Sequence, residues 1–301
     1  KLEGELVFRL WDTYGFPVEM TQEICKERGI EVDFEGFQSE MESQRQRARV
    51  SGKFTEDRAK VRVYESLGVG KTRFLGYEQV NASSVVVGLV SDGVSVNEVN
   101  RNQDVEVVLL ETPFYAEGGG QVGDAGEISG PNGKIEIHDT QFAIPDAIFH
   151  FGKVVRGNIS VGDTVEAYVN PIRREDTARN HSATRLLHAA LRAVLGPHVR
   201  QAGSLVAAER LRFDFSHVQQ VTSEEIELVE RMVNDKIRQN AVVRKSDDTY
   251  VSAIERGALA FFGDKYDENV RLVEIANGTR FSLEVCGGTH VDRTGELGSV
   301  F

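Results

Sequence analysis

The sequence predicts an α+β multidomain chain in three consecutive parts: an N-terminal helical segment over 1–70, a small β-barrel over 71–170 and an α+β domain over 171–301. Three features carry this reading. Apolar residues recur at helical spacing among many charged ones up to about residue 62. Short β-rich runs separated by turn dipeptides follow, and the last part opens on a long helical pattern and closes on a hairpin signal.

In the first part Leu6, Leu10, Val18 and Ile24 supply apolar positions. Pro17 suits a helix's first turn after a break at Gly15, and Thr21 to Arg28 reads as a helix stopped by Gly29. The run Gly36 to Val61 is helical at its start and loses its period near Ser51-Gly52. It carries Arg45, Arg47, Arg49, Lys53, Arg58, Lys60 and Arg62, whose plainest role is a solvated helix face; the same reading applies to Arg173, Arg174 and Arg179 further on.

The second part places β-rich runs at Val85–Val90, Val105–Leu110, Ala125–Ile128, Lys134–Ile137, Ala147–Val154 and Thr164–Val169, broken by Asp92-Gly93, Asn132-Gly133 and Gly162-Asp163. Strands at such spacing suggest a small barrel. Within it, Glu117-Gly118-Gly119-Gly120-Gln121 reads as a tight corner on its glycines alone.

The third part is organised around a helix from Arg174 to Leu195, stopped by Gly196-Pro197. His181, Arg185, His188 and Arg192 form one stripe along it, and Ala183, Leu186, Leu187, Ala190 and Val194 the opposite, apolar one. The polar stripe therefore faces a cleft or a second layer. Leu205–Val206 and Arg210–Phe215 read as strands. A helix from Ser223 to about Gln239 turns Ile226, Val229, Met232, Val233 and Ile237 inward, and Val251 to Gly257 is a short helix. Val270–Ala276 and Thr279–Val285 pair around Asn277-Gly278 and deliver Cys286 at a strand end.

Composition narrows the function. At 301 residues the chain has room for two or three domains, since domains run about 100 to 150 residues. The net charge of −12 counts against broad, nonspecific nucleic-acid binding, which depends on neutralising phosphates, although a local basic patch can oppose the average. The apolar runs are too short for a membrane span. Cys25 and Cys286 are too few for a disulfide framework, which points to a reducing cytoplasm with Cys25 as a packed small residue. Neither a phosphate-binding loop nor a dinucleotide fingerprint is present. Ser182 and His181 are helix neighbours about 100° apart, which disfavours a Ser–His nucleophile pair.

The chemistry concentrates in Cys286-Gly287-Gly288-Thr289-His290. A thiol and an imidazole four apart across two glycines can turn toward one point, and with one or two helix histidines they suit Zn²⁺. The helix and this loop are expected to face each other, with His181 and Cys286 less than about 8 Å apart.

Arg179-Asn180-His181-Ser182-Ala183-Thr184, Gln201-Ala202-Gly203-Ser204, Arg212-Phe213-Asp214-Phe215-Ser216-His217, Gly257-Ala258 with Phe262-Gly263-Asp264-Lys265-Tyr266, and Cys286 to His290 resemble, in order and spacing, the editing domain of the alanyl-tRNA synthetase family. The resemblance extends upstream through Trp11-Asp12-Thr13-Tyr14-Gly15-Phe16-Pro17 and Glu117 to Asp124. It implies an internal stretch carrying the end of the tRNA-recognition region, the barrel and the editing domain. An aminoacylation domain would precede it and a C-terminal region follow it. The lack of an initiator methionine at Lys1 and the stop at Phe301 agree with an excised piece.

The resemblance further implies hydrolysis of tRNA(Ala) mischarged with serine or glycine, with the tRNA 3′ acceptor end as partner. Gln201 resembles a residue lining the family's editing pocket, and Thr184 and Ser204 are short hydroxyls suited to recognising that of serine. These three are the candidate catalytic residues. Gly119, Gly120 and Gln121 fall in a glycine-rich motif that shapes the family's cleft, and Asp214 in a stretch near it; with Arg185 they are the candidate substrate-binding residues.

One departure falls on the zinc site. The family's helix reads His-x-x-x-His, and this chain has Arg185 at the second histidine. A guanidinium offers no lone pair, so His181, Cys286 and His290 remain as ligands of a weakened zinc site. His188, about 10.5 Å from His181 along the axis, is too far to join them. Arg185 either turns toward an anion such as a tRNA phosphate or takes the ion's space. The alternative function is an acceptor-end binding module that no longer hydrolyses.

Overall fold

The computed structural model describes residues 1–301 apart from 15, 17, 51–53 and 261–265. Four helices come first: α1 (Gly4–Asp12), α2 (Val18–Glu27), α3 (Phe34–Val50) and α4 (Phe54–Ser66). Val7, Phe8 and Phe37 form a small core between α1, α2 and α3, with Trp11, Val18 and Met41 packed against it. Gly4 allows the crossing of α1 and α3, because a Cβ there would lie 2.3 Å from the backbone of Gly36 and Phe37. Leu6 is exposed instead, on the outer face of α1. The expected breaks at Gly15, Pro17 and Ser51-Gly52 lie outside the described residues, as does the Phe262–Lys265 part of the later motif. Lys60 and Arg62 are exposed on α4, and Tyr64 near its end packs on the barrel against Phe149, with ring centroids 4.6 Å apart.

The middle of the chain carries β1 (Arg73–Phe74), β2 (Asn81–Ser91), β3 (Val94–Ser95), β4 (Glu98–Asn100), β5 (Asp104–Leu109), β6 (Glu111–Thr112), β7 (Gly126–Ser129), β8 (Gly133–Ile144), β9 (Ala147–Ser160) and β10 (Thr164–Val169). Strands run in the order β10, β7, β8, β9, β5, β2, and β10 pairs back to β2, so six strands close a barrel. Closure removes the sheet edges that would otherwise be exposed. All six expected runs are there, and β8 and β9 extend well beyond theirs as one long hairpin. Alternate residues such as Leu89, Val107, Ile128, Ile135, Val154 and Val165 fill the interior.

The last part holds α5 (Pro171–Leu195), β11 (Arg200–Val206), β12 (Leu211–Ser216), α6 (Ser223–Arg238), β13 (Val242–Thr249), α7 (Tyr250–Glu255), β14 (Asn269–Asn277), β15 (Thr279–Val285) and a 3₁₀ turn at Thr294–Leu297. Helix α5 starts three residues earlier than expected: Asn170 caps it, accepting from Arg173 N at 3.1 Å, and Pro171 takes the first turn. Thr222 and Glu225 form a capping box for α6. Leu186, Ala190, Val229, Val233, Ile237, Val273 and Ile275 form the core between α5, α6 and the sheet β13–β14–β15. Ile226, expected inside, is 54% exposed, lining an open groove with Ala183 and Leu187 of α5 where the two helices leave a gap. Among the described residues no helix is long and apolar enough to cross a membrane.

Arg174 corrects the reading of the basic residues around α5. It is 7% exposed, pairs with buried Asp124 of the barrel, and donates to the carbonyls of Gly76 and Pro113 at 2.7 and 2.8 Å. Its five N–H donors suit this mixture of carboxylate and carbonyls, and so it fastens α5 to the barrel. A backbone link adds to it: Val206 N donates to Gly120 O at 2.7 Å and Val122 N to Val206 O at 3.0 Å.

Candidate functional site

Helix α5 and the end of β15 meet face to face. His181, Arg185 and His188 are all buried, so the polar stripe of α5 lies against a second layer built by β15 and the loop after it. His181 Nε2 is 3.3 Å from Cys286 Sγ, and Cys286 Sγ is 3.2 Å from His290 Nε2. Two ligands of one tetrahedral zinc stand about 3.6 Å apart, given bonds of about 2.1 and 2.3 Å. The three donors, all within 4.8 Å of one another, form a cluster that could hold a metal ion.

In the loop it is Gly288 that matters, and it acts through space and not through backbone freedom. Neither Gly287 nor Gly288 has a positive φ. A Cβ on Gly288 would lie 2.0 Å from His181 Cε1, so this glycine makes room for the ring. In the barrel's turn the reason is conformational: Gly119 and Gly120 have φ of 60° and 87° and join Gly118 to Gln121 through two backbone bonds of 3.0 and 3.1 Å. That turn aims Gln121 into the site. Its Oε1 sits 2.8 Å from His181 Nδ1 and accepts from Thr289 N at 2.9 Å, while its Nε2 donates to Thr289 Oγ1 at 3.0 Å.

Arg185 occupies the middle of the cluster. Its Nη2 is 2.9 Å from His181 Nε2 and donates to Cys286 Sγ at 3.1 Å, and its Nη1 donates to Glu284 Oε2 at 2.6 Å and Gln201 Oε1 at 3.3 Å. Since a guanidinium only donates, His181 Nε2 must accept and Nδ1 must carry the proton, which Gln121 Oε1 receives. Glu284 Oε1 lies 2.9 Å from His188 Nδ1. On the far side, Ser182 Oγ is 3.1 Å from His290 Nδ1 and accepts from Val291 N at 3.1 Å.

Burial alone would raise the Cys286 thiol, but the Arg185 charge beside it prevails and lowers it to about 6. Burial likewise acts to raise Glu284, and Arg185 with His188 outweighs it, keeping the carboxylate ionised. Burial first, and Arg185 second, hold His181 well below its ordinary value; burial and His181 bring His290 to about 4. Near neutral pH Arg185 thus stands as a cation beside two anions, Cys286 and Glu284, with His181 and His290 neutral.

The donors suit zinc in kind, yet the lone pairs of His181 Nε2 and Cys286 Sγ already face Arg185. An imidazole nitrogen has one lone pair, so His181 cannot serve an ion and the guanidinium together, and with Arg185 in this space the cluster as arranged does not fit zinc.

The remaining candidates lie around this centre. Gln201 is buried beside Arg185, and both Gln201 Nε2 and Arg185 Nε are buried donors without an acceptor among the described residues. Thr184 is buried with its hydroxyl donated to Asn180 O at 2.8 Å. Ser204 on β11 packs against Gly120, whose added Cβ would be 2.7 Å from the Ser204 carbonyl oxygen. Asp214 on β12 is half-exposed and accepts from Arg212 Nε at 3.1 Å. Glu284 and Thr289 were not singled out from the sequence. A signal for Glu284 exists: Ser282, Glu284 and Cys286 alternate along one face at the end of β15, and a carboxylate there follows the cysteine inward.

A cleft of about 670 Å³ reaches the cluster, lined by Tyr77, Arg174, Lys245, Arg271, Thr289 and His290. Tyr77 donates to Gly287 O at 2.5 Å and carries the Arg271 guanidinium 3.6 Å above its ring, which ties the barrel side to the loop.

Comparison with known proteins places the chain. Residues 1–173 match the model for tRNA synthetases class II (A), and residues 270–301 that for the threonyl and alanyl tRNA synthetase second additional domain. The alanine--tRNA ligases of Thermoanaerobacter sp. (strain X514) and Thermoanaerobacter pseudethanolicus are each 47% identical over 297 residues, covering 99% of this chain and 33% of the relative. That of Chloroflexus aurantiacus is 44% identical over 308 residues, covering 99% and 34%. The chain spans about a third of the length of these relatives. With its family model covering more than half the residues, the chain belongs to the tRNA synthetase class II (A) family, and it is similar to the alanine–tRNA ligases over about a third of their length.

Proposed function

We propose that this site hydrolyses the ester of tRNA(Ala) mischarged with serine or glycine, as the editing centre of a cytoplasmic alanyl-tRNA synthetase. The observation that supports it is the way the buried cluster opens, through Thr289 and His290, onto a cleft carrying Lys245 and Arg271. The cleft's lining is mixed in charge, with Arg174, Arg179, Lys245 and Arg271 among Glu78, Glu175, Asp292 and Glu296, so the support comes from the access it gives a substrate to the cluster and not from net charge. Water adds to the ester carbonyl carbon, the bond from that carbon to the ribose oxygen breaks, and that oxygen takes a proton, releasing amino acid and tRNA.

Within this reading Gln201, Thr184 and Ser204 act on the substrate, and Arg185, Gly119, Gly120, Gln121 and Asp214 shape or grip it. Gln201 and Gln121 have the best support. A buried amide donor without an acceptor, as Gln201 Nε2 is, is the kind of group a substrate oxygen satisfies. Gln121 fixes the tautomer of His181 and the backbone of Thr289 together. Sparing of alanine would follow from hydrogen bonds made to the serine hydroxyl, which alanine lacks. The rest of such an enzyme supplies aminoacylation.

Incubating the chain with seryl-, glycyl- and alanyl-tRNA(Ala) tests the proposal. Faster loss of serine and glycine than of alanine supports it. Loss of all three at the rate in buffer leaves the acceptor-end binding module, the reading that Arg185 in the ligand position favours.

A further inference from the structure

We propose that Arg185 is the resident cation of this site, and that its guanidinium stands in for the zinc ion that the surrounding donors would otherwise bind. The inference concerns what fills the centre and is independent of whether the site hydrolyses an ester.

Position is the first argument. Arg185 follows His181 by four residues on α5, one turn along the same face, so its side chain is directed at the point where His181 and Cys286 converge. It arrives there: Nη2 lies 2.9 Å from His181 Nε2 and 3.1 Å from Cys286 Sγ. These two atoms and His290 Nε2 are the whole donor set among the described residues.

Anchoring is the second. Arg185 is 3% exposed, with Nη1 held by Glu284 and Gln201. Swinging it away to admit an ion would leave Glu284, itself buried, without its cation. The proton on His181 Nδ1, received by Gln121, turns the Nε2 lone pair toward the guanidinium. Each neighbour is thus arranged for a donor at the centre.

The substitution changes what the centre can do. A guanidinium has no open coordination position, so it cannot bind water and acidify it as zinc does. What it offers is a fixed charge and N–H groups.

Metal content decides the matter without reference to activity. The chain, Arg185→His and Arg185→Ala are to be prepared with zinc present, checked for folding by circular dichroism, analysed for bound zinc, and titrated in competition with a chromogenic chelator. Cobalt in place of zinc reports on the thiolate through its charge-transfer band. The wild-type chain is expected to carry no stoichiometric zinc. Arg185→His, which adds a ligand, should bind zinc at least about tenfold more tightly, about 1.4 kcal/mol, with a cobalt–thiolate band that is lost on adding Cys286→Ser. Arg185→Ala, which vacates the centre and leaves three ligands, should also gain affinity, and it decides the question if the histidine variant does not fold. One zinc per wild-type chain retained against the chelator would overturn the inference, as would folded variants that bind no more tightly than wild type.

Discussion

Gln121 Oε1 lies 2.8 Å from His181 Nδ1, a contact between the barrel's glycine turn and the long helix of the following domain. One side-chain amide thereby sets the tautomer of a histidine and holds the loop through Thr289. Replacing it by alanine strands the His181 N–H and the Thr289 N–H in the interior. Gln121→Ala should cost about 1–3 kcal/mol in urea denaturation, the penalty for buried groups left unsatisfied. An unchanged midpoint would mean that other groups take over both bonds.

Glu284 is the buried counter-ion of Arg185 and also meets His188. Removing it leaves a cation without an anion in the interior, so Glu284→Ala is expected to lose about 3–5 kcal/mol by the same measurement. A loss below about 1 kcal/mol, as for a surface pair, would contradict the buried pairing.

Gly288 sits so close to His181 that a methyl group would overlap the ring. Gly288→Ala should therefore push the imidazole off Gln121 and cost about 1–3 kcal/mol. Gly287 has open space around its position, with Tyr77 Oη the nearest atom at 3.8 Å, so Gly287→Ala serves as the mild control. Equal effects from the two would overturn the steric account.

His150 gives the barrel a pH dependence. It is fully buried, between Val107 O at 2.9 Å and Thr112 Oγ1 at 2.7 Å, and burial lowers it from 6.5 to about 4. The unfolded chain binds the proton first as pH falls. The stabilising contribution is therefore complete above about 6.5 and lost as pH falls toward 4. Urea midpoints measured from pH 7 to 4 should fall less steeply in His150→Asn than in wild type, and parallel curves would contradict this.

Much of this was legible in the residues. The six barrel strands were, because alternation and turn dipeptides are local signals. So was the meeting of His181 with Cys286, since each sits at the end or on the face of a strongly patterned element. Arg174 was not: an arginine in the first turn of a helix looks like surface, and only the barrel's Asp124, Gly76 and Pro113 make its burial tolerable. Ile226 erred the other way, since periodicity gives the inward face of a helix and not whether a groove stays open along it. The orientation of Arg185 stayed open for the same reason: its partner Glu284 is distant in sequence and only the fold brings the two together.

Single-turnover loss of labelled serine from seryl-tRNA(Ala), with wild type and Gln201→Ala compared with buffer, tests the proposed hydrolysis. Loss well above the buffer rate is expected for wild type, with alanyl-tRNA(Ala) spared and a return toward the buffer rate when the Gln201 amide is removed. Wild type that releases serine no faster than buffer would contradict it.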